Sequence, residues 1–155
     1  MTERILIVDD HPLTRDALAA LLGGNGFDIV GVASGGVEAV ARARELQPEV
    51  VLLDISMPDV DGLAALPQIR EAAPAAEVVM LTASEDEENL LAAIRGGACG
   101  YLLKSEPPER IVAFLRGVAR GEAALSGSVA RRLLAEVRDG GRRYLVPDEI
   151  GRAHV

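Results

Sequence analysis

Apolar positions along this chain fall into two patterns, short uninterrupted runs and longer stretches in which they recur every three or four residues. The first pattern predicts strands covered on both sheet faces, and the second predicts helices. Ile5-Leu6-Ile7-Val8 is the first such run and ends at Asp9-Asp10. Pro12 then opens a helix, where a missing N–H costs nothing, and Leu13, Ala17, Leu21 and Leu22 are spaced to face the core. Gly23-Gly24-Asn25-Gly26 stops it. A second strand is predicted over Phe27–Val32 and a second helix over Val37–Leu46, broken by Gln47-Pro48. Val50-Val51-Leu52-Leu53 runs into Asp54, and a third helix follows from about Gly62 to Ala72.

Val78-Val79-Met80-Leu81 forms the fourth strand and ends at Thr82. Ser84 with Glu87 three residues later is a capping-box pattern, which predicts a helix running to about Arg95. Gly100 to Leu103 ends at Lys104, and Pro107-Pro108 opens a fifth helix to about Arg120. Five strand–helix units in sequence predict an α/β domain with a parallel sheet over residues 1–121. Residues 122–141 are expected to form a linker helix, with Val129, Leu133, Leu134 and Val137 as its apolar stripe.

In open parallel sheets, ligands bind outside the carboxyl ends of the strands. Four of the five predicted strands end in a reactive polar group: Asp9-Asp10, Asp54, Thr82 and Lys104. Three carboxylates crowded at one edge repel one another and invite a hard divalent cation such as Mg²⁺. An ammonium and a hydroxyl facing the same point can hold phosphoryl oxygens that such a metal leaves free. A carboxylate can then attack phosphorus to give an acyl phosphate.

Composition sharpens this picture at one residue. Fifteen of the sixteen basic side chains are Arg, and Lys104 is the only lysine. A compact ammonium has been kept where a planar guanidinium fork would not serve. Net charge is −8, and residues 1–121 carry 10 basic against 19 acidic side chains. So acidic a body is a poor ligand for nucleic-acid phosphates. The single cysteine, Cys99, allows no internal disulfide and is expected to pack as a small hydrophobe. With only two Phe, two Tyr and no Trp, the core should be aliphatic. No apolar run approaches the roughly 18 residues of a bilayer span, so the chain reads as cytoplasmic, with no membrane partner.

Taken together, Ile7-Val8-Asp9-Asp10-His11-Pro12, Leu53-Asp54-Ile55-Ser56-Met57-Pro58, Leu81-Thr82-Ala83 and Gly97-Ala98-Cys99-Gly100-Tyr101-Leu102-Leu103-Lys104 resemble response-regulator receiver domains. Asp9-Asp10-His11 and Lys104-Ser105-Glu106-Pro107-Pro108 look most like the NarL/FixJ (LuxR-type) two-component regulators. The resemblance covers about residues 3–121. It implies a flavodoxin-like (CheY-like) fold, with five parallel strands in the order 2-1-3-4-5. It also implies that Asp54 is the phosphoacceptor, served by a sensor histidine kinase. Mg²⁺ would be bound by Asp10 and Asp54 directly, by Asp9 mainly through water, and by the backbone carbonyl of Ser56. Thr82 and Lys104 would bind the phosphoryl group, Tyr101 would be the rotating aromatic switch, and Ser56 and Ser84 would tune dephosphorylation.

The implied protein is a transcriptional switch, not an enzyme. It is expected to dimerise on phosphorylation and to reach DNA only through a helix-turn-helix domain absent here. The alternative is a stand-alone receiver working by protein–protein contact or phosphorelay. A metal-dependent phosphatase is disfavoured, because no carboxylate stands two positions after Asp54 as acid/base. His11 is read as a helix-entry residue beside the acidic pocket, not as a ligand. Gly35-Gly36 lacks the pattern of a dinucleotide site.

Residues 142–155 are expected to be a truncated tail. Glu149-Ile150-Gly151-Arg152-Ala153-His154-Val155 can be encoded by the start of a widely used sequencing adapter, which implies that 149–155 are non-native. Continuous genomic sequence through these codons would overturn that expectation.

Overall fold

Side chains of a strand point alternately to opposite sheet faces, and here both faces are apolar, so the sheet must lie between two helical layers. The structure, a computed structural model, describes residues 3–83, 86–121 and 124–125. Five strand–helix units follow in order: β1 (Arg4–Val8), α1 (Pro12–Gly23), β2 (Asp28–Ala33), α2 (Gly36–Leu46), β3 (Val50–Asp54), α3 (Gly62–Ala72), β4 (Glu77–Thr82), α4 (Glu87–Arg95), β5 (Gly100–Leu103) and α5 (Pro108–Ala119). Leu6, Val8, Val51, Leu53, Val78, Met80 and Tyr101 face one side and pack against α2, α3 and α4. Ile5, Ile7, Val50, Leu52, Val79, Leu81 and Leu102 face the other and pack against α1 and α5.

All strands pair in parallel, in the order β2-β1-β3-β4-β5, as the resemblance implies. A two-residue strand, β6 (Ala124–Leu125), extends the sheet beside β5, with Ala124 opposite Gly100 and Leu125 opposite Tyr101. It falls where the sequence suggested linker, and two residues are too few to show a period. The rest of the expected linker helix, including Val129–Val137, lies outside the described residues, as do the tail and Ser84.

Two local expectations change. Helix α1 buries Leu18 and Leu22, with Ala19 and Leu21 partly covered, while Leu13 is 86% exposed and Ala17 is exposed. At about 100° per residue, Leu13 sits about 140° around the helix from Leu18, on the far side from the sheet. Helix α4 takes Asp86 as its N-cap, the carboxylate accepting from the Glu88 N–H at 2.9 Å, in place of the predicted Ser84. Asp86 is as good a capping residue and stands one position before the helix begins.

Chain order reverses between β1 and β3, so the crevice at their carboxyl ends is the topological switch point. Asp9, Asp10 and Asp54 all leave the sheet there.

Candidate functional site

Backbone hydrogen bonds hold the strand ends that carry the polar residues. Asp9 N–H donates to the Ala33 carbonyl at 3.0 Å, Ile55 N–H to Leu81 at 3.3 Å, and Lys104 N–H to Thr82 at 2.7 Å. The loop after Asp54 folds back so that Gly62 N–H donates to Ile55 at 2.7 Å. Gly62 lies against the Asp54 backbone, and a Cβ there would collide with it. The glycine is what lets α3 start directly beside the acidic residue.

Four predicted residues meet in one cluster. Lys104 Nζ lies 2.9 Å from Asp9 Oδ2 and 3.4 Å from Asp54 Oδ1. Donor atoms of Asp9, Asp10, His11 and Asp54 all fall within 4.8 Å of one another. Asp9 is fully buried, and Asp54 is 2% exposed. Asp10 Oδ1 and Asp54 Oδ2 are buried and accept no hydrogen bond. Buried carboxylate oxygens without a donor carry a large desolvation cost, and a cation is the usual remedy. The donor set therefore fits a hard, oxygen-seeking ion such as Mg²⁺.

Electrostatics follow from that crowding. Burial first, and the Asp9 charge second, push the Asp54 carboxyl up to about 6 against the pull of Lys104. For Lys104, burial works against the charge, but its contacts with Asp9 and Asp54 prevail and leave the ammonium above its ordinary value. The cluster is thus over-supplied with negative charge, with one ammonium shared between two carboxylates.

The other predicted residues border this centre. Thr82 is buried at the end of β4, and Tyr101 is buried on β5, packed with the α2–α3–α4 core. Ser56 is exposed and lines an open groove of about 570 Å³ together with Asp10, His11, Met57, Pro58 and Asn89. Cys99 is half-buried against the other core layer. Burial, then Glu77, pushes its thiol up to about 12, which makes it inert.

Sequence reasoning missed two participants. Arg15 donates from Nη1 to the Asp9 carbonyl at 3.2 Å. Asp59, five residues past Asp54, caps a different helix: its carboxylate accepts from Gly36 N–H at 2.9 Å and Val37 N–H at 3.2 Å. These backbone N–H groups hold the Asp59 carboxyl below its ordinary value. The signal was the absence of any capping side chain at Gly35, which obliges α2 to borrow one. His11 enters α1 beside the acidic pocket, as the sequence suggested, with Nδ1 3.2 Å from Asp10 Oδ1.

Comparison with known proteins agrees with the geometry. The family model described as the response regulator receiver domain matches residues 5–116. The chain is 36% identical over 135 residues to the nitrate/nitrite response regulator protein NarL of Escherichia coli K12. That match covers 86% of this chain and 62% of that protein, so the chain spans under two thirds of its relative's length. It is 35% identical over 143 residues to the transcriptional regulatory protein LiaR of Bacillus subtilis 168, covering 92% of this chain and 68% of LiaR. Among solved structures, a LuxR-family two-component response regulator from Aurantimonas sp. SI85-9A1 superposes with a TM-score of 0.83 at 31% identity, covering 88% of this chain and 98% of that one.

Proposed function

From a chain that belongs to the response-regulator receiver family, we propose a phosphorylation switch in which Asp54 accepts a phosphoryl group from a sensor histidine kinase. The observation that carries this reading is the buried Asp54 carboxylate. One of its oxygens lies 3.4 Å from the chain's only lysine and the other accepts no hydrogen bond, with Asp9 and Asp10 beside it. An Asp54 oxygen attacks the phosphorus of a phosphohistidine, a P–O bond forms, and the P–N bond breaks as the imidazole leaves and recovers a proton. Asp10, Asp54 and the Ser56 carbonyl would hold Mg²⁺, with Asp9 acting mainly through water. When bound, the ion neutralises charge on the equatorial phosphoryl oxygens.

Lys104 would exchange its contact with Asp54 for a phosphoryl oxygen, and Thr82 would donate to another. Tyr101 would then re-pack as the aromatic switch, while Ser56 and Ser84 set how readily water reaches the acyl phosphate. The output is a change of surface, not a released product, so the chain acts as a switch in the cytoplasm rather than as an enzyme. A second copy of itself and DNA, the latter through a helix-turn-helix domain beyond the receiver, complete the proposed partners. No helix among the described residues is long and apolar enough to cross a membrane.

Intact-protein mass spectrometry after incubation with acetyl phosphate and Mg²⁺ tests the reading. One added phosphoryl group is expected on the wild type and none on Asp54→Asn. Equal labelling of the variant would move the acceptor elsewhere.

A further inference from the structure

Gly35-Gly36 contributes nothing to the chemistry at Asp54, yet space rather than conformation requires both glycines. Gly35 is extended at φ −163°, a backbone any residue adopts. A Cβ there would stand 2.7 Å from Asp59 Oδ1, and one on Gly36 would stand 2.5 Å from the Val60 carbonyl oxygen. The loop after β3 therefore lies directly on the start of α2. Asp59 fastens it there, accepting from the Gly36 and Val37 N–H groups of a helix whose own N-cap offers no side chain.

The same loop brings Ser56 to the phosphorylation site. Its base is closed by the Gly62 N–H on Ile55, and Asp61 caps α3 by accepting from the Ala64 N–H at 2.8 Å. Between these ends Met57 is buried in the core, whereas Ser56, Pro58 and Asp59 are exposed. An exposed segment holds one shape only where its groups are tied, and the tie to α2 falls three residues beyond Ser56. Ser56, Met57 and Pro58 line one side of the groove that reaches Asp10, so the loop forms a wall of the path by which water arrives.

We propose that Asp59 is a positioning residue for the phosphorylated site: by tying the loop to α2 it holds Ser56 in place and slows hydrolysis of the acyl phosphate. The inference rests on Asp54 as phosphoacceptor and deepens the role proposed for Ser56. In the step concerned, a water oxygen attacks phosphorus and the bond to the Asp54 oxygen breaks. Asp54 leaves as a carboxylate, and both protons of the water go with the inorganic phosphate. Attack needs the water in line with the breaking bond, and a wall held against α2 restricts that approach. A released loop opens it.

The full chain is labelled with acetyl phosphate and Mg²⁺, the acetyl phosphate is removed, and loss of the phosphoryl group is followed by intact mass. Asp59→Ala should hydrolyse about five-fold faster or more. Asp59→Asn keeps an amide oxygen for the Gly36 N–H and should stay within about two-fold of wild type. Gly36→Ala, which wedges the loop off α2 with Asp59 intact, should behave like Asp59→Ala. Val118→Ala, in the core layer on the other face of the sheet, lowers stability without touching the loop and should leave the rate unchanged. Amide hydrogen exchange at Val37 reports the tie itself, protected in wild type and exposed in Asp59→Ala.

Unchanged hydrolysis in Asp59→Ala with Val37 deprotected overturns the inference and makes Asp59 a helix cap alone. Equal acceleration in Asp59→Asn also overturns it, since the effect then comes from the lost charge. Acceleration in Val118→Ala does the same, because lost stability would suffice. A wild type that takes no label at Asp54 sinks the phosphoacceptor reading and this inference with it.

Discussion

At the scale of single residues, the cluster places Asp54 where its own negative charge is unfavourable. Its carboxyl titrates near 6 when folded, against about 3.9 in an unfolded chain. Between those values the folded state holds a proton that the unfolded state has released, so stability falls as pH rises through that window. Above about pH 6 the penalty is complete. Asp54→Asn removes it, and in Mg²⁺-free buffer at pH 7 the variant should be more stable by on the order of 2–3 kcal/mol. That advantage should fade toward pH 4 and shrink when Mg²⁺ is added. Urea denaturation of both proteins across this range measures it, and a pH-independent difference would show that Asp54 carries no such penalty. Lys104 makes the complementary case. Its Nζ reaches Asp9 and Asp54 at once, which suits a point charge with three rotatable donors. Lys104→Arg keeps the cation but brings a wider planar group into a cluster two of whose carboxylates are almost fully buried. Labelling by acetyl phosphate should slow about ten-fold or more, followed by intact mass over time. A variant that labels at the wild-type rate would make the single lysine an accident of residue usage.

At the scale of elements, helix α1 shows what a sequence pattern can and cannot decide. Leu13, Ala17, Leu21 and Leu22 gave a helical period correctly, but the period allows more than one apolar stripe, and only the sheet selects between them. Leu18 and Leu22 are the buried pair. Leu22→Ala should therefore cost about 2–5 kcal/mol, while Leu13→Ser should stay within about 0.5 kcal/mol. Urea unfolding of both variants checks this, and a large loss at Leu13 would restore the face first expected. The five strands were legible because each is a continuous apolar run, and the residues ending them pointed to the site without reference to any side-chain geometry. Asp9, Asp10, Asp54 and Lys104 do meet. What stayed hidden is long-range. Asp59 caps α2 across 23 residues of chain and β6 pairs with the edge of β5, while nearer by, Arg15 reaches back to the Asp9 carbonyl. The bare cap at Gly35 was a local signal, but it does not say which residue fills it, because that depends on which strands the topology makes neighbours. Asp59 also ties the loop carrying Ser56 to α2, which joins the site to an element that contributes no functional side chain of its own.

At the scale of the molecule, the proposed switch is buried at one sheet edge and would need a surface to report on it. Tyr101 sits on β5, two positions before Leu103 and packed in the same core layer as Leu90 and Ala93 of α4. Any re-packing of that ring is therefore felt by α4. Regulators that act on two-fold DNA sites do so as two-fold dimers, and a self-complementary patch serves both copies at once. Beryllofluoride with Mg²⁺, an acyl-phosphate mimic at Asp54, should accordingly shift residues 1–140 toward a symmetric dimer. The candidate surfaces are α1 with α5, or α4 with the Tyr101 edge. The ligand moves the equilibrium only by its differential affinity for the two states, so a partial shift is expected when that difference is a few kcal/mol. Sedimentation velocity with and without beryllofluoride measures the change, and Asp54→Asn should abolish it. A mass that stays monomeric at high concentration in both conditions would rule out receiver-driven dimerisation. It would place the dimer contact in the part of its longer relatives that this chain does not span.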